Sequence, residues 1–361
     1  MKFLLQIVLL TLLGHGAWAD EVFFYVAASE GIYRGGIDTD TGKLDPLTPA
    51  GAAKYPNFLA LSPDGKFLYA TLDAAVEAFA VQPDGALRPL DKELSGGAGA
   101  CHVSVDETGR HVFVANYDGG CIACFGTNPD GSLGERTALM PFTGSGPDPK
   151  RQTKPYAHSV YPDPANKFVY ACDLGTDHVW IFKFDAARGT LVPNDPPSAK
   201  VPPGSGPRHL AFHPNGKFVY VANEMGHSVT VFSRDAGSGA LTALQTVSTL
   251  SLETPIQGVT TAEIACPAPG KWLYVSNRGC DTISVFSIAP DGKLTLVQSA
   301  SSVAQMPRRF AIDPTGRWLI AAGQKDNRIA VLKIDPATGR LTPTDQVAEV
   351  ASPICVLFGN K

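Results

Sequence analysis

PRHLAFHPNGKFVYVANE, residues 207–224, reads as one β-hairpin. Its pattern predicts a strand from about His209 to His213, a Pro-Asn-Gly-Lys turn, and a second strand from about Phe218 to Ala222. Arg208 and His209 precede the first strand, and Asn223 and Glu224 follow the second. The two ends of an antiparallel hairpin lie side by side, far from its turn. One short stretch therefore delivers an arginine and a glutamate to the same place.

The hairpin is repeated along the chain. Related turns centre on Gly65, Gly109, Asn166, Gly216, Gly270 and Gly316, and a bulky apolar residue stands four positions after each, from Tyr69 through Tyr220 to Ile320. A second turn, Gly-x-Leu, begins at Gly42, Gly85, Gly131, Gly189, Gly239, Gly292 and Gly339, at intervals of 43 to 58 residues. Four short strands in a unit of about 45 residues mark a propeller blade. The expected fold is all-β, a seven-bladed β-propeller over residues 20–361. The first copy lacks its opening strand, while Pro353–Phe358 at the other end matches the strand openings at Pro56, Pro207 and Pro307. The C-terminal strand should complete the first blade and close the ring, leaving no free sheet edge around the circle.

Residues 1–19 stand apart. Lys2, the apolar run Phe3–Leu13 and Ala17-Trp18-Ala19 predict a secretory signal peptide cleaved before Asp20, and hence a periplasmic or secreted protein with no membrane span after cleavage. With 30 basic against 34 acidic residues the chain offers no electrostatic case for nucleic acid. The seven cysteines fall mostly in apolar strand-like runs, which favours buried free thiols over redox or zinc chemistry. Cys121 and Cys124 have CxxC spacing, but within a strand they point to opposite faces.

The repeat also serves as a ruler. Eight residues before each hairpin-turn marker stand Asn57, Cys101, His158, Arg208, Ala262 and Arg308; one residue further come His102, Glu263 and Arg309. Eight residues after it stand Asp73, Tyr117, Leu174, Glu224, Arg278 and Gln324. All are expected to ring one mouth of the central channel, on the face that also receives the irregular connections 134–156, 192–206 and 244–261. His158 and Glu224 supply candidate general bases; Arg208 and Arg278 supply cations for an anion or a developing oxyanion.

Four segments carry a resemblance: PYAHSVYPD from Pro155, GPRHLAFHPNGKFVYVANE from Gly206, WLYVSNRGCDTISVF from Trp272 and PRRFAIDPTGRWL from Pro307. Together they resemble the seven-bladed lactonase family, which includes propeller-type 6-phosphogluconolactonases and is similar to fungal carboxymuconate-cyclising enzymes. The resemblance implies that His158, Arg208, Glu224 and Arg278 are catalytic. Glu263 and Gln324 match further polar positions of that family, and with His209, Asn277 and the ruler position Asp73 they are the expected substrate contacts. The chain departs from the family pattern at Tyr156, at Ala265-Cys266 and at Gly323. The implied activity is hydrolysis of a sugar-type or other anionic lactone by activated water, since no GxSxG nucleophile motif is present. A muconate-type cycloisomerase and a non-enzymatic ligand-binding propeller are the alternatives. No cofactor is implied. Asp73, Asp118, Asp173, Asp177, Glu224 and Glu263 could offer oxygens to calcium, but no spacing demands a metal. Export sits awkwardly with a phosphorylated substrate made in the cytosol and favours an unphosphorylated sugar lactone or another anionic one.

Overall fold

The computed structural model describes residues 21–359; the expected signal peptide lies outside them. The described chain forms 28 strands in seven four-stranded antiparallel sheets. Six of the sheets take four consecutive strands. The remaining one is ordered Cys355–Phe358, Glu21–Ala28, Gly31–Asp38, Thr48–Gly51, with Ala27 opposite Cys355 and Phe24 opposite Phe358. The C-terminal strand thus completes the first blade. The first strand of each sheet is innermost, and these strands touch their neighbours all the way around the channel.

The opening hairpin folds from Pro207–Phe212 and Phe218–Asn223, with Leu210 facing Val221. The first strand starts two residues earlier than its sequence pattern implies, because Pro207 already pairs with Asn223. A register shift follows between Pro207 and His209, so Arg208 is the extra residue of a β-bulge. The same shift places Cys101, His158 and Arg308 as the extra residues of their inner strands. A bulge bends the strand and re-aims the unpaired side chain. In these four strands the positions the sequence ruler selects are therefore the positions where the inner strand departs from regular pairing, whereas the inner strands Phe58–Leu61 and Cys355–Phe358 pair without a shift.

The two repeat elements lock adjacent blades together. The second-strand tyrosines donate their hydroxyls to the carbonyls of Gly-x-Leu glycines one blade on: Tyr25 to Gly85, Tyr69 to Gly131, Tyr170 to Gly239, Tyr220 to Gly292 and Tyr274 to Gly339, at 2.8–3.2 Å. Where the tyrosine is replaced by Phe113 or Ile320, other donors hold the seam: Thr137 Oγ1 to Gly189 O and Trp318 Nε1 to Thr39 O, both at 2.8 Å. Gly131 has φ 84°, and a β-carbon there would overlap the Phe67 ring from the preceding blade. Only glycine meets both conditions. Seven apolar clusters fill the seams between the blades.

The long connections are shorter than the sequence implies, since the outer strands Leu133–Pro141, Thr190–Lys200 and Leu241–Ser248 take up their first parts. All seven cysteines are free, five of them buried. Among the described residues no helix is long and apolar enough to cross a membrane.

Candidate active site

A cavity of about 390 Å³ occupies the channel mouth on the side of the inter-blade connections. Its wall includes His158, Glu224, Arg278, Arg308, Arg151 and Tyr117, with Asn57, Asp73 and Cys101 beside them.

Glu224 is its centre. It follows the strand Phe218–Asn223, and its backbone N–H is tied to Gly206 O at 2.8 Å. Its Oε2 accepts from Arg208 Nε at 3.1 Å and pairs with Arg278 Nη2 at 2.9 Å; its Oε1 accepts from Arg151 Nη2 at 2.7 Å. Burial alone would raise this carboxyl. The charges of Arg278, Arg208 and His158 and the hydrogen bond from Arg151 outweigh burial and hold it far below the usual carboxylate range. His158 Nε2 lies 3.8 Å from Glu224 Oε2, while its Nδ1 is buried without a hydrogen-bond partner. Burial, then the positive charge of Arg208, pushes His158 well below the ordinary histidine range, so the ring is neutral near pH 7.

Arg151 was not among the residues the sequence singled out. It lies outside the repeat, on the connection after Leu133–Pro141, where no ruler position points to it. The one signal was the basic run KRQTK in a connection whose only acidic residue is Asp148. The loop is rigidly built. Asp148 Oδ1 accepts from the N–H groups of Lys150 and Arg151, and the buried Gln152 donates from Nε2 to Leu174 O and Asp177 Oδ1, both at 2.8 Å. Asp177 also accepts from the N–H groups of Gly204 and Gly206, and Asp173 from those of Tyr156 and Gly175. These two carboxylates, counted as possible calcium ligands, are spent on loop backbone. Among the described residues no group of three or more His, Cys, Asp or Glu side chains is placed to hold a metal ion.

The other expected site residues divide. Asp73 lines the cavity. Arg208 does not: it is 2% exposed, lies beneath Glu224, and donates from Nη1 to Ala262 O at 3.0 Å. Arg308, its repeat counterpart two blades on, does line the wall. Glu263, His209, His102 and Arg309 belong to a deeper layer rather than to the mouth. Each stands one residue further along an inner strand, so it faces down the channel. His209 Nδ1 is 3.1 Å from Glu263 Oε1, and Glu263, His102 and Arg309 line a separate cavity of about 440 Å³ that opens among turn residues of the opposite face. Asn277 is buried within a blade, where its Oδ1 accepts from Thr249 and Thr261 hydroxyls and its Nδ2 donates to Ser284. Gln324 follows the strand Trp318–Gly323 and is not part of the cavity wall.

Residues 21–358 match the family described as lactonase, 7-bladed β-propeller, and the chain belongs to that family of lactone-opening hydrolases. A 6-phosphogluconolactonase of Bacillus subtilis is 33% identical over 91% of this chain and 95% of its own length, and one from Formosa agariphila is 31% identical over 88% and 92%. Among solved structures, the periplasmic gluconolactonase of Pseudomonas aeruginosa superposes with a TM-score of 0.86 at 29% identity, covering 94% of this chain and 99% of that one.

Proposed function

We propose that the chain hydrolyses a sugar lactone bearing an anionic group, outside the cytosol, with His158 as the base that activates water. The observation that carries this is a neutral, partly walled-off histidine set beside a carboxylate that three guanidiniums keep ionised. Glu224 is a poor base, because both its oxygens already accept from arginines and its charge is strongly stabilised. Its part is to aim Arg151 and Arg278 and to stabilise the imidazolium that forms.

Nδ1 of His158 is enclosed, so the nitrogen able to exchange a proton with the cavity is Nε2. It takes a proton from water as the water oxygen bonds to the lactone carbonyl carbon. The carbonyl oxygen becomes anionic against the guanidinium N–H groups of Arg278 and Arg151. Collapse of the intermediate breaks the ring C–O bond, and the departing ring oxygen recovers the proton from His158. The product is the open hydroxy acid.

Export rests on Lys2, the apolar run 3–13 and Ala17-Trp18-Ala19. The likeness to a periplasmic gluconolactonase supports the same compartment. Two measurements test this reading: mass spectrometry of the mature N-terminus, expected at Asp20, and hydrolysis of neutral, carboxylated and phosphorylated sugar lactones by the purified protein. Rates equal to spontaneous hydrolysis for every lactone would overturn the substrate assignment.

A further inference from the structure

Four arginines converge at the cavity, and their charges are not equally met. Arg208, Arg278 and Arg151 all pair with Glu224, at 3.1, 2.9 and 2.7 Å. Arg308 does not. Among the described residues it forms no ion pair, and its hydrogen bond runs from Nη2 to the neutral Asn57 Oδ1 at 3.3 Å. It is nevertheless held in place, as the extra residue of a bulge between Pro307 and Arg309 on an inner strand of the rigid ring. It stands in the cavity wall with Arg278 and reaches toward Asn57, five blades back along the chain.

A guanidinium fixed in a partly enclosed wall, next to a second cation and paired with no carboxylate, although Asp73 and Glu224 line the same cavity, has donors free for a visiting anion. Burial, then the charge of Arg278, lowers the Arg308 pKa, and burial lowers those of the paired Arg208 and Arg278 as well. The sequence offers Arg208 and Arg278 as the cations for an anion; in the structure Arg208 is sealed beneath Glu224, while Arg308, at the equivalent repeat position, lines the cavity.

We propose that Arg308, supported by Asn57 and flanked by Arg278, is the residue that selects the anionic group of the substrate, while Arg208 acts only by positioning Glu224 and His158. The inference rests on the lactonase reading of this same cavity. The ligand chemistry is an oxyanion, carboxylate or phosphate monoester, because a guanidinium fork binds either bidentately.

Arg308→Gln, Arg308→Lys and Arg208→Gln should be compared with the unaltered protein on three lactones of one ring size: neutral, carboxylated and phosphorylated. The preference for an anionic over the neutral lactone, as a ratio of kcat/KM, should fall at least tenfold in Arg308→Gln, with the loss appearing in KM. Whichever anionic lactone loses more identifies the anion. Arg208→Gln should lower kcat on all three and leave the ratio within about threefold. Arg308→Lys keeps the charge without the fork and should fall between, so it carries the test if the glutamine variant does not fold. Calorimetric titration with inorganic phosphate and with tartrate supplies a readout independent of turnover: binding should weaken at least tenfold in Arg308→Gln. An unchanged preference ratio with unchanged anion binding overturns the inference and leaves lactone hydrolysis standing. Anion binding lost with Arg308, in a protein that opens no lactone, upholds the inference and removes the hydrolase reading.

Discussion

Two Glu-His-Arg clusters share one channel. At the mouth, Glu224 gathers three guanidiniums and stands 3.8 Å from His158. One residue deeper on the inner strands, Glu263 meets His209 at 3.1 Å and Arg309 at 3.4 Å, and its Oε1 also accepts from the N–H of Ile264 at 2.9 Å. The residue types are the same, but the surroundings are not. Arg309 is stacked over Phe58 at 3.9 Å and donates to Leu59 O and to Cys355 Sγ, so its fork is tied to the wall of the propeller. Arg278 and Arg151 keep donors directed at a cavity on the irregular face. Composition of a cluster therefore does not define a catalytic site; what matters is whether its donors remain available where a ligand can enter.

Both clusters hang on the ring of inner strands, so opening the ring should abolish the contrast altogether. Deleting residues 354–361 removes the strand Cys355–Phe358 and exposes the buried edge of the first blade. The expected outcome is loss of cooperative folding, read as loss of the thermal transition. A truncated protein that melts like the full chain would show that the closing strand is dispensable.

Within the intact ring, His158→Gln should lower kcat by about 10²- to 10⁴-fold, the range for a lost general base. His209→Gln in the deeper cluster should change kcat less than about tenfold, because His209 lies outside the mouth cavity. Steady-state kinetics on one lactone decides between them, and equal losses would mean that both layers act as one network.

The two glutamates sharpen the same contrast. Glu224→Gln should cost about 10²- to 10³-fold in kcat through misaimed oxyanion donors, and about 3–5 kcal/mol of stability, since three guanidiniums lose their shared counter-charge. Glu263→Gln should lower the melting temperature with a much smaller change in kcat. A Glu263 variant as inactive as the Glu224 variant would restore the deeper layer to the active site.

A further contrast concerns pH. Burial pushes His102, His158 and His209 well below the ordinary value near 6.5, with neighbouring cations adding to it. Below pH 6.5 the unfolded chain binds protons that the folded one refuses, so their contribution to stability is complete above that pH and is lost as the pH falls. Each should give a slope of about 1.4 kcal/mol per pH unit. Glu224, depressed in the folded state, adds a further loss below about pH 4.3. Melting temperature measured from pH 7.5 to 4 should fall monotonically, less steeply in His209→Gln. The acid limb of kcat/KM should lie below the usual histidine range and move upward in Arg208→Gln, where the largest charge acting on His158 is gone.

The sequence by itself determined the number of blades, the closing of the ring and the positions that point into the channel. Each depends on something local: a Gly-x-Leu turn that tolerates only positive φ at its glycine, a hairpin turn at a fixed offset, a displaced strand with a matching opening. It also placed His158, Arg208, Glu224 and Arg278 near one another, because strand ends at equal repeat offsets must meet. Only the tertiary structure decided which of them face a ligand. Depth along the channel differs by a single residue between Arg208 and His209, and between Ala262 and Glu263, and a repeat ruler has no coordinate for depth. Nor can it see Arg151, which reaches Glu224 from a non-repeating loop 73 residues away in sequence. Arg308 and Arg208 occupy equivalent repeat positions, and they differ because one blade supplies a glutamate at its second strand's end while the other supplies Gln324. Whether a cation is spent or available depends on which charges meet it in space, and that is settled by packing among blades far apart in the chain.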